Sequence, residues 1–317
     1  MKAISLVLTA LLWASTASAA YDWPLGNDSE FKADVVQPRH AAGTGPSILV
    51  DGFHQNVFVE EGFIEPFLAV ARADGFKVSV GKQSLDQTDL DPVDLVVIIT
   101  ALPFEFGTKT EVTDESTFSP SEIERLYEWV SAGGSLLVFS EHAPFDQAIN
   151  PLLARFDIES SVGYVIDEQH QNPTGGKPAW IVYSRENGLL NPDHPITQGR
   201  SAAEQITALS TYGGSSLSGK NYVRLLTLAP TAVNTVHPTG VGPVGMGDSQ
   251  ALAGRVGRGK VVALGDSNGF VAMKIKATGV RLGMNAEGYD WKQFVLNTLR
   301  WLTDETAADI GTAPSGH

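Results

Sequence analysis

One stretch constrains the fold more than any other, the run GGSLLVFSEHAPF at 133–145. Its first half is a Gly-Gly turn followed by an almost uninterrupted apolar run, which is typical of a central parallel strand covered on both faces. The run ends abruptly in two ionisable residues, Glu141 and His142. Ligands of open α/β sheets lie outside the carboxyl ends of such strands. The stretch therefore predicts an α/β fold with a site built around Glu141 and His142.

The rest of the chain alternates short apolar strands with amphipathic helices. We expect strands at 47–51, 76–80, 94–99, 222–229, 250–256 and 260–264, and helices with apolar faces at 63–71, 119–130, 149–156 and 290–302. Ser119 and Glu122 have the spacing of a capping box at the start of one helix. The glycine-rich stretch 230–247 indicates a flexible loop. This alternation predicts a doubly wound, mainly parallel sheet.

The first residues have the form of a targeting signal. Lys2, an apolar core at 4–13 and the A-x-A site at 17–19 predict a signal peptide over 1–19, cleaved after Ala19, and an exported periplasmic or secreted protein. The apolar core is too short to span a bilayer, so we expect no membrane insertion. We expect a polar N-terminal arm at 20–45, followed by the α/β domain at 46–303. The domain contains an irregular insertion at 163–217. The tail at 304–317 is expected to be disordered.

Charge and cysteine content narrow the classes of function. The chain has 36 acidic against 22 basic residues, a formal net charge of -14, and no cysteine. Nucleic acid and anionic membrane surfaces need a basic face and are not expected as partners. Disulfides, Cys–Zn sites and a thiol nucleophile are excluded. A small-molecule or saccharide ligand is compatible with this composition, which does not give the oligomeric state.

Polar clusters follow three of the predicted strands: Asp51 with His54, Glu141 with His142, and the stretch from Asp266 to Asn268. The carboxyl ends of parallel strands share one edge of a sheet, so we expect these clusters to converge. Two chemistries suit them. His142 is a candidate proton carrier oriented by Glu141 or Asp51. Alternatively, the imidazoles and carboxylates hold a divalent metal, although no H-E-x-x-H or H-x-H spacing is present.

Five further residues are candidate site residues. Ser140 ends the central strand where an elbow nucleophile stands, but it lacks the glycines of G-x-S-x-G. Asn56 and Asn285 are candidate polar contacts to a ligand. His194, in an Asn-Pro-Asp-His-Pro context, is either a site residue or part of a rigid turn. Asp266 either contacts a ligand or caps its own turn.

Several motifs resemble one family when taken together. They are DGFHQN at 51–56, FSPSEI at 118–123, WVSAGGSLL at 129–137, EHAPF at 141–145, HPITQGR at 194–200 and GMN at 283–285. Over about 48–302 the chain resembles exported bacterial DUF4350-like proteins of the class I glutamine amidotransferase-like superfamily. The resemblance implies a flavodoxin-like, three-layer αβα sandwich. Thiol-dependent relatives have a Cys at the elbow after the central strand, where this chain is expected to have Ser140, so their chemistry is excluded.

Two hypotheses of function follow. The first is an exported hydrolase for a small molecule or saccharide, with His142 as general acid/base and Glu141, Asp51 and His54 as partners or metal ligands. The second is a non-catalytic module that binds a ligand or a cell-envelope partner. Aromatic residues expected to stack on sugar rings are Phe53, Phe104, Phe106 and Phe145. A cavity with imidazoles near a carboxylate favours the enzyme, whereas His142 packed under Phe145 without a cavity favours the binding module.

Overall fold

The computed structural model describes residues 23–107, 115–175, 177–237, 240 and 242–304. The predicted signal peptide and the tail from 305 onward lie outside the described residues. The helices are α1 (Val57–Glu60), α2 (Glu65–Ala73), α3 (Pro120–Ser131), α4 (Phe145–Arg155), α5 (Pro195–Gln198) and α6 (Trp291–Thr303). Within the described ranges, no helix has the length and apolar character needed to cross a membrane.

Sixteen strands are defined over the described residues. In chain order they are β1 (Leu25–Asn27), β2 (Ser47–Val50), β3 (Lys77–Val80), β4 (Leu95–Ile98), β5 (Ser135–Phe139), β6 (Glu159–Ser160), β7 (Tyr164–Ile166), β8 (Val182–Ser184), β9 (Ala208–Ser210), β10 (Leu217–Ser218), β11 (Tyr222–Thr227), β12 (Val233–Thr235), β13 (Ser249–Val256), β14 (Gly259–Leu264), β15 (Ala272–Ile275) and β16 (Arg281–Gly283).

Nine of these strands form the central sheet, in the order β3-β2-β4-β5-β14-β13-β10-β6, with β11 also paired to β13. The first five run parallel to their neighbours. The strands that follow β14 in this order pair antiparallel. The protein is thus a mixed α/β fold whose central strands are parallel. The two strands predicted at 250–256 and 260–264 pair as the β13–β14 hairpin.

Alternate residues of the central strands enter two separate hydrophobic clusters. Val97 and Leu137 belong to the cluster that contains the apolar residues of α2 and α6. Their neighbours Val96 and Leu136 belong to the other cluster, with apolar residues of α3 and α4. All five residues of β5 are buried. This two-sided burial explains why β4 and β5 read as continuous apolar runs in the sequence.

The helix starts follow local rules. Ser119 caps α3, its hydroxyl accepting from the Glu122 backbone N–H, and the Glu122 carboxylate accepts from the Ser119 backbone N–H, so the predicted capping box is confirmed. Helix α6 begins one residue after the predicted start and buries Trp291 and Phe294 completely. The helices predicted at 119–130 and 290–302 are therefore found as α3 and α6.

Several short strands were not predicted. Strand β1, within the expected polar arm, joins β15 and β16 in a three-stranded antiparallel sheet. The stretch 230–247 was predicted as a flexible loop, but residues 233–235 form β12 and pair with β7. Strands β8 and β9 form a further two-stranded ladder. Strands of three or four residues bury too few side chains to give a recognisable period, which is why the sequence did not reveal them.

Candidate functional site

A cavity of about 610 Å³ lies at the carboxyl ends of the parallel strands. Its walls are mainly apolar and aromatic, with contributions from β1, α1, β15 and β16. Glu141 and His142 line it directly after β5, and Thr100 lines it shortly after β4. Small-molecule sites are typically cavities of about 300–1,000 Å³ with apolar walls and a few polar groups. The cavity has the size and composition of such a site.

Glu141 is the elbow of the central strand. Its φ angle of 56° lies in the left-handed region, which non-glycine residues rarely occupy. The residue is 2% exposed, and its Oε1 accepts from the Ser267 backbone N–H at 2.6 Å and from the Ser267 hydroxyl. Thr100, which follows the neighbouring strand, also has a positive φ, of 49°. Strained backbone of this kind costs about 1–3 kcal/mol per residue and clusters at functional sites.

His142 has its side chain 28% exposed beside Glu141. Its Nδ1 lies 2.8 Å from the Ala143 carbonyl oxygen, which can only accept, so Nδ1 carries a proton. In the neutral imidazole the lone pair is therefore on Nε2, which lies 3.4 Å from Glu141 Oε2. The same carboxylate oxygen accepts from the His142 backbone N–H at 3.2 Å. This arrangement fixes the tautomer and places a proton acceptor at the cavity.

A second imidazole, His237, was not predicted from the sequence. Its ring stacks on that of His142, with a centroid separation of 4.3 Å and an interplanar angle of 22°. Tyr164 meets both rings edge-on. Burial, with a further contribution from the charge of His142, lowers the pKa of His237 to about 4, so this ring is neutral near pH 7. All three side chains line the cavity.

Two buried carboxyl groups lie behind this cluster. Burial raises the pKa of Asp266 to about 7, and the charge of Glu141 acts in the same direction. Asp266 Oδ1 accepts from the Asn268 backbone N–H at 2.7 Å, and its Oδ2 accepts from the Tyr212 backbone N–H. Burial likewise raises the pKa of Asp146 to about 6. Asp266 therefore organises the turn after β14, as its structural alternative predicted, and Asp266 does not itself line the cavity.

Asp51 and His54 converge with a different partner. His54 Nδ1 lies 3.0 Å from Asp51 Oδ1, and its Nε2 lies 2.9 Å from Glu122 Oε1 at the start of α3. Burial lowers the pKa of His54, but the hydrogen bonds and charges of Asp51 and Glu122 outweigh it, and the net shift is upward. Neither Asp51 nor His54 lines the cavity. The structure thus does not bring Asp51 and His54 to the cavity that Glu141 and His142 line.

The remaining candidates lie in structural positions. Ser140 Oγ is 2.5 Å from Ser215 Oγ and does not line the cavity. Asn56 caps α1 and bonds through Oδ1 to the Thr100 hydroxyl, so it supports a cavity residue from behind. His194 caps α5, and burial lowers its pKa to about 4. Asn285 donates to Asp28 Oδ2 at 3.0 Å, outside the cavity.

The aromatic candidates divide in the same way. Phe106 and Phe145 line the cavity, with rings nearly parallel at 3° and centroids 6.0 Å apart. Trp23 stacks on Phe106 at 5.0 Å. Phe53 and Phe104 are not among the lining residues. The cavity is therefore lined by stacked aromatic rings, against which an apolar group or a sugar ring can pack.

Some of the charged and polar residues that line the cavity were not predicted from the sequence. Tyr164, Lys177 and His237 come from segments without a helical or strand period long enough to place them. Among the described residues, no group of three or more His, Asp or Glu side chains has an arrangement that would hold a metal ion.

Comparison with known proteins supports the fold. No family model matches the chain, and no curated protein matches its sequence. The solved structure described as "mmIFT52 N-terminal domain" is similar, with a TM-score of 0.57 and 21% identity over 83% of this chain and 99% of that one. A putative ThuA-like protein from Bacteroides uniformis (TM-score 0.42, 13% identity, 84% and 93% covered) and a cytoplasmic protein from Salmonella typhimurium (0.43, 11%, 81% and 98%) are more distant. The first likeness shows a shared α/β fold and nothing of the chemistry.

Proposed function

We propose that the chain is a class I glutamine amidotransferase-like protein with a three-layer αβα arrangement, of the DUF4350-like group. The parallel strands, the core clusters on the two sets of sheet residues and the left-handed residue after β5 support this proposal. The elbow position, which sequence reasoning gave to Ser140, belongs to Glu141, because Glu141 has the positive φ and Ser140 is bonded to Ser215. A carboxylate would then stand where thiol-dependent relatives have their nucleophile.

We further propose that the protein is a hydrolase for a small molecule or saccharide. His142 Nε2 takes a proton from water as the water oxygen bonds to the electrophilic carbon of the substrate. The same nitrogen returns that proton to the leaving group as its bond breaks. Glu141 faces the imidazole at 3.4 Å and stabilises it while it is charged. Asp51 and His54 have no part in this proposal, because they pair with Glu122 outside the cavity.

One observation carries the proposal. His142, whose tautomer the Ala143 carbonyl fixes, lines a cavity of about 610 Å³ beside a buried carboxylate that two donors of Ser267 hold in place. A preorganised acceptor of this kind is what general acid/base catalysis requires, and it is worth about 10²–10⁴ in rate. The stacked His237 ring limits the ways in which His142 can rotate.

A non-catalytic binding module is the second candidate, and one observation favours it. The hydroxyl groups of Ser140 and Ser267 are both engaged, with Ser215 and Glu141 respectively. Neither is presented to the cavity as a nucleophile. In this reading the aromatic wall holds a ligand and His142 contributes only a hydrogen bond.

Chromogenic ester, amide and glycoside panels test the hydrolase. A substrate identified with the wild-type chain is then assayed with Ile275→Trp, which fills the cavity from β15, and with Val233→Trp, a control at a 51% exposed position. We expect turnover to fall with the first variant and to persist with the second. If Ile275→Trp keeps the wild-type turnover, the reaction does not take place in this cavity. If the protein binds a ligand but turns over no substrate of any panel, the binding module is favoured.

Export is part of the same proposal. We propose cleavage after Ala19, on the basis of the A-x-A site and the apolar core that precedes it. Expression of the full chain in a bacterium, followed by mass measurement of the periplasmic fraction, tests this. A mass that retains residues 1–19, or protein found only in the cytoplasm, would contradict it.

A further inference from the structure

Lys177 is a basic residue at the cavity. The residue lines the cavity and is exposed, and no ion pair joins it to any carboxylate of the described residues. Its main chain is held in place, because the Trp180 backbone N–H donates to the Lys177 carbonyl at 2.9 Å. The Trp180 ring is in turn buried against Tyr212, with centroids 5.0 Å apart. The lysine therefore extends from an anchored segment rather than from a free loop.

The close packing of Gly175 confirms how the segment is anchored. A Cβ atom at Gly175 would lie 1.9 Å from Cε3 of the Trp180 ring, so only glycine permits this contact. Trp180 lines the same cavity as Lys177. Trp180 and Lys177 thus line the same cavity from one short segment, in which the Trp180 ring packs against Gly175.

Glu141 is a carboxylate of the same cavity, but it is 2% exposed, whereas Lys177 is exposed. Both Glu141 oxygens already accept hydrogen bonds, from Ser267 and from the His142 backbone. His237 is neutral near pH 7, since burial lowers its pKa to about 4. Meanwhile the chain as a whole has a formal net charge of -14, which repels anions from most of its surface. A positive residue at the cavity of an acidic protein therefore favours an anionic ligand over a neutral one.

We propose that the cavity binds an organic anion with an apolar or aromatic body. The carboxylate or sulfonate of the ligand pairs with the Lys177 ammonium group, and its body packs on the Phe106 and Phe145 rings. This inference rests on the cavity being the ligand site of the proposed function and names the class of molecule that enters it. It does not depend on turnover, so the two proposals fail separately.

Two dyes that differ in a single charged group test the inference. Anilinonaphthalene sulfonate is an apolar anion, and N-phenylnaphthylamine is the same body without the sulfonate. We expect the wild-type chain to bind the sulfonate more tightly, as measured by fluorescence titration, and added salt to weaken only the sulfonate. Lys177→Gln should weaken sulfonate binding about three- to fivefold, the range of a partly exposed ion pair, and leave the neutral dye unchanged.

Controls locate the effect. Lys220→Gln removes another exposed lysine, one that does not line the cavity, and should change neither affinity. Ile275→Trp should weaken both dyes because it fills the space they occupy. The proposal is overturned if Lys177→Gln leaves sulfonate affinity unchanged, if Lys220→Gln lowers it equally, or if Ile275→Trp affects neither dye. Loss of turnover with His142 variants has no bearing on these outcomes.

Discussion

The buried carboxyl group of Asp146 should make stability depend on pH in an unusual direction. Asp146 is completely buried in the first turn of α4, where Oδ1 accepts from the Gln147 backbone N–H at 2.8 Å and Oδ2 from that of Gly163 at 3.1 Å. Burial nevertheless dominates and raises the pKa of Asp146 from 3.8 to about 6. The folded state therefore holds this proton more tightly than the unfolded state does.

The sign and size of the effect follow from that shift. A raised folded-state pKa contributes stability that is complete below about pH 4 and is lost as the pH rises through about 6. A shift of about 2 pK units corresponds to roughly 3 kcal/mol, an upper estimate for a group with charged neighbours. Asp146→Asn lacks this dependence. The difference between the unfolding free energies of Asp146→Asn and the wild type should therefore rise by about 2–3 kcal/mol, in favour of the variant, from about pH 4 to pH 7.

Urea unfolding at several pH values, followed by tryptophan fluorescence and circular dichroism, measures this difference. Asp28→Asn is an opposite-sign control. Burial acts to raise the pKa of Asp28, but hydrogen bonds from Asn285, the Glu30 backbone, Lys274 and Arg281 lower it overall. The stability of Asp28→Asn relative to wild type should thus fall as the pH rises from about 3 to 5. A difference for Asp146→Asn that is flat or decreases with pH would refute the reasoning.

Two further predictions concern stability alone. Arg300→Met should lower the free energy of unfolding, measured by denaturant titration, by about 3–5 kcal/mol. The reason is that it leaves the buried Asp74 and Glu204 carboxylates without their shared guanidinium. A loss below about 1 kcal/mol would mean that these charges are solvated. Ser119→Ala should cost about 1 kcal/mol by the same measurement, because it removes the side-chain cap of α3 and a hydrogen bond to Glu122; an unchanged midpoint would contradict the role of the capping box.

Much of the fold was predictable because burial on both sheet faces leaves an uninterrupted apolar run. This is how β4, β5 and β14 were predicted, and why the carboxyl end of β5 was chosen as a candidate site. The capping box at Ser119 was equally clear, since it depends on residues three apart. Both signals are local, and local signals survive in a single sequence.

The convergence of the strand ends was predicted too broadly. Strand β4 separates β2 from β5, so Asp51 starts out two strands away from Glu141. His54 then turns towards the start of α3, where its ring lies 4.3 Å from that of Phe118. A shared edge brings strand ends to the same side of the sheet, with about 5 Å between neighbouring strands, but it does not decide which neighbouring helix a side chain contacts.

The missed residues share one property, long separation along the chain. His237 lies 95 positions after His142 in the chain and stacks on its ring. It follows β12, a strand of three residues that pairs with β7. Lys177 lies in an irregular stretch between two short strands. No periodicity or motif connects such segments to the central strand. Only the folded arrangement brings them to the cavity.

The central claim is that His142 is the proton carrier of a catalytic cavity, and substitution by glutamine tests it most directly. Once a hydrolysed substrate is known, kcat and the dissociation constant of a non-hydrolysed analogue are measured for the wild type, His142→Gln and the distant control His40→Gln. The account predicts that His142→Gln lowers kcat by about 10²–10⁴ with little change in analogue binding, and that His40→Gln changes neither. Unchanged kcat in His142→Gln would contradict it.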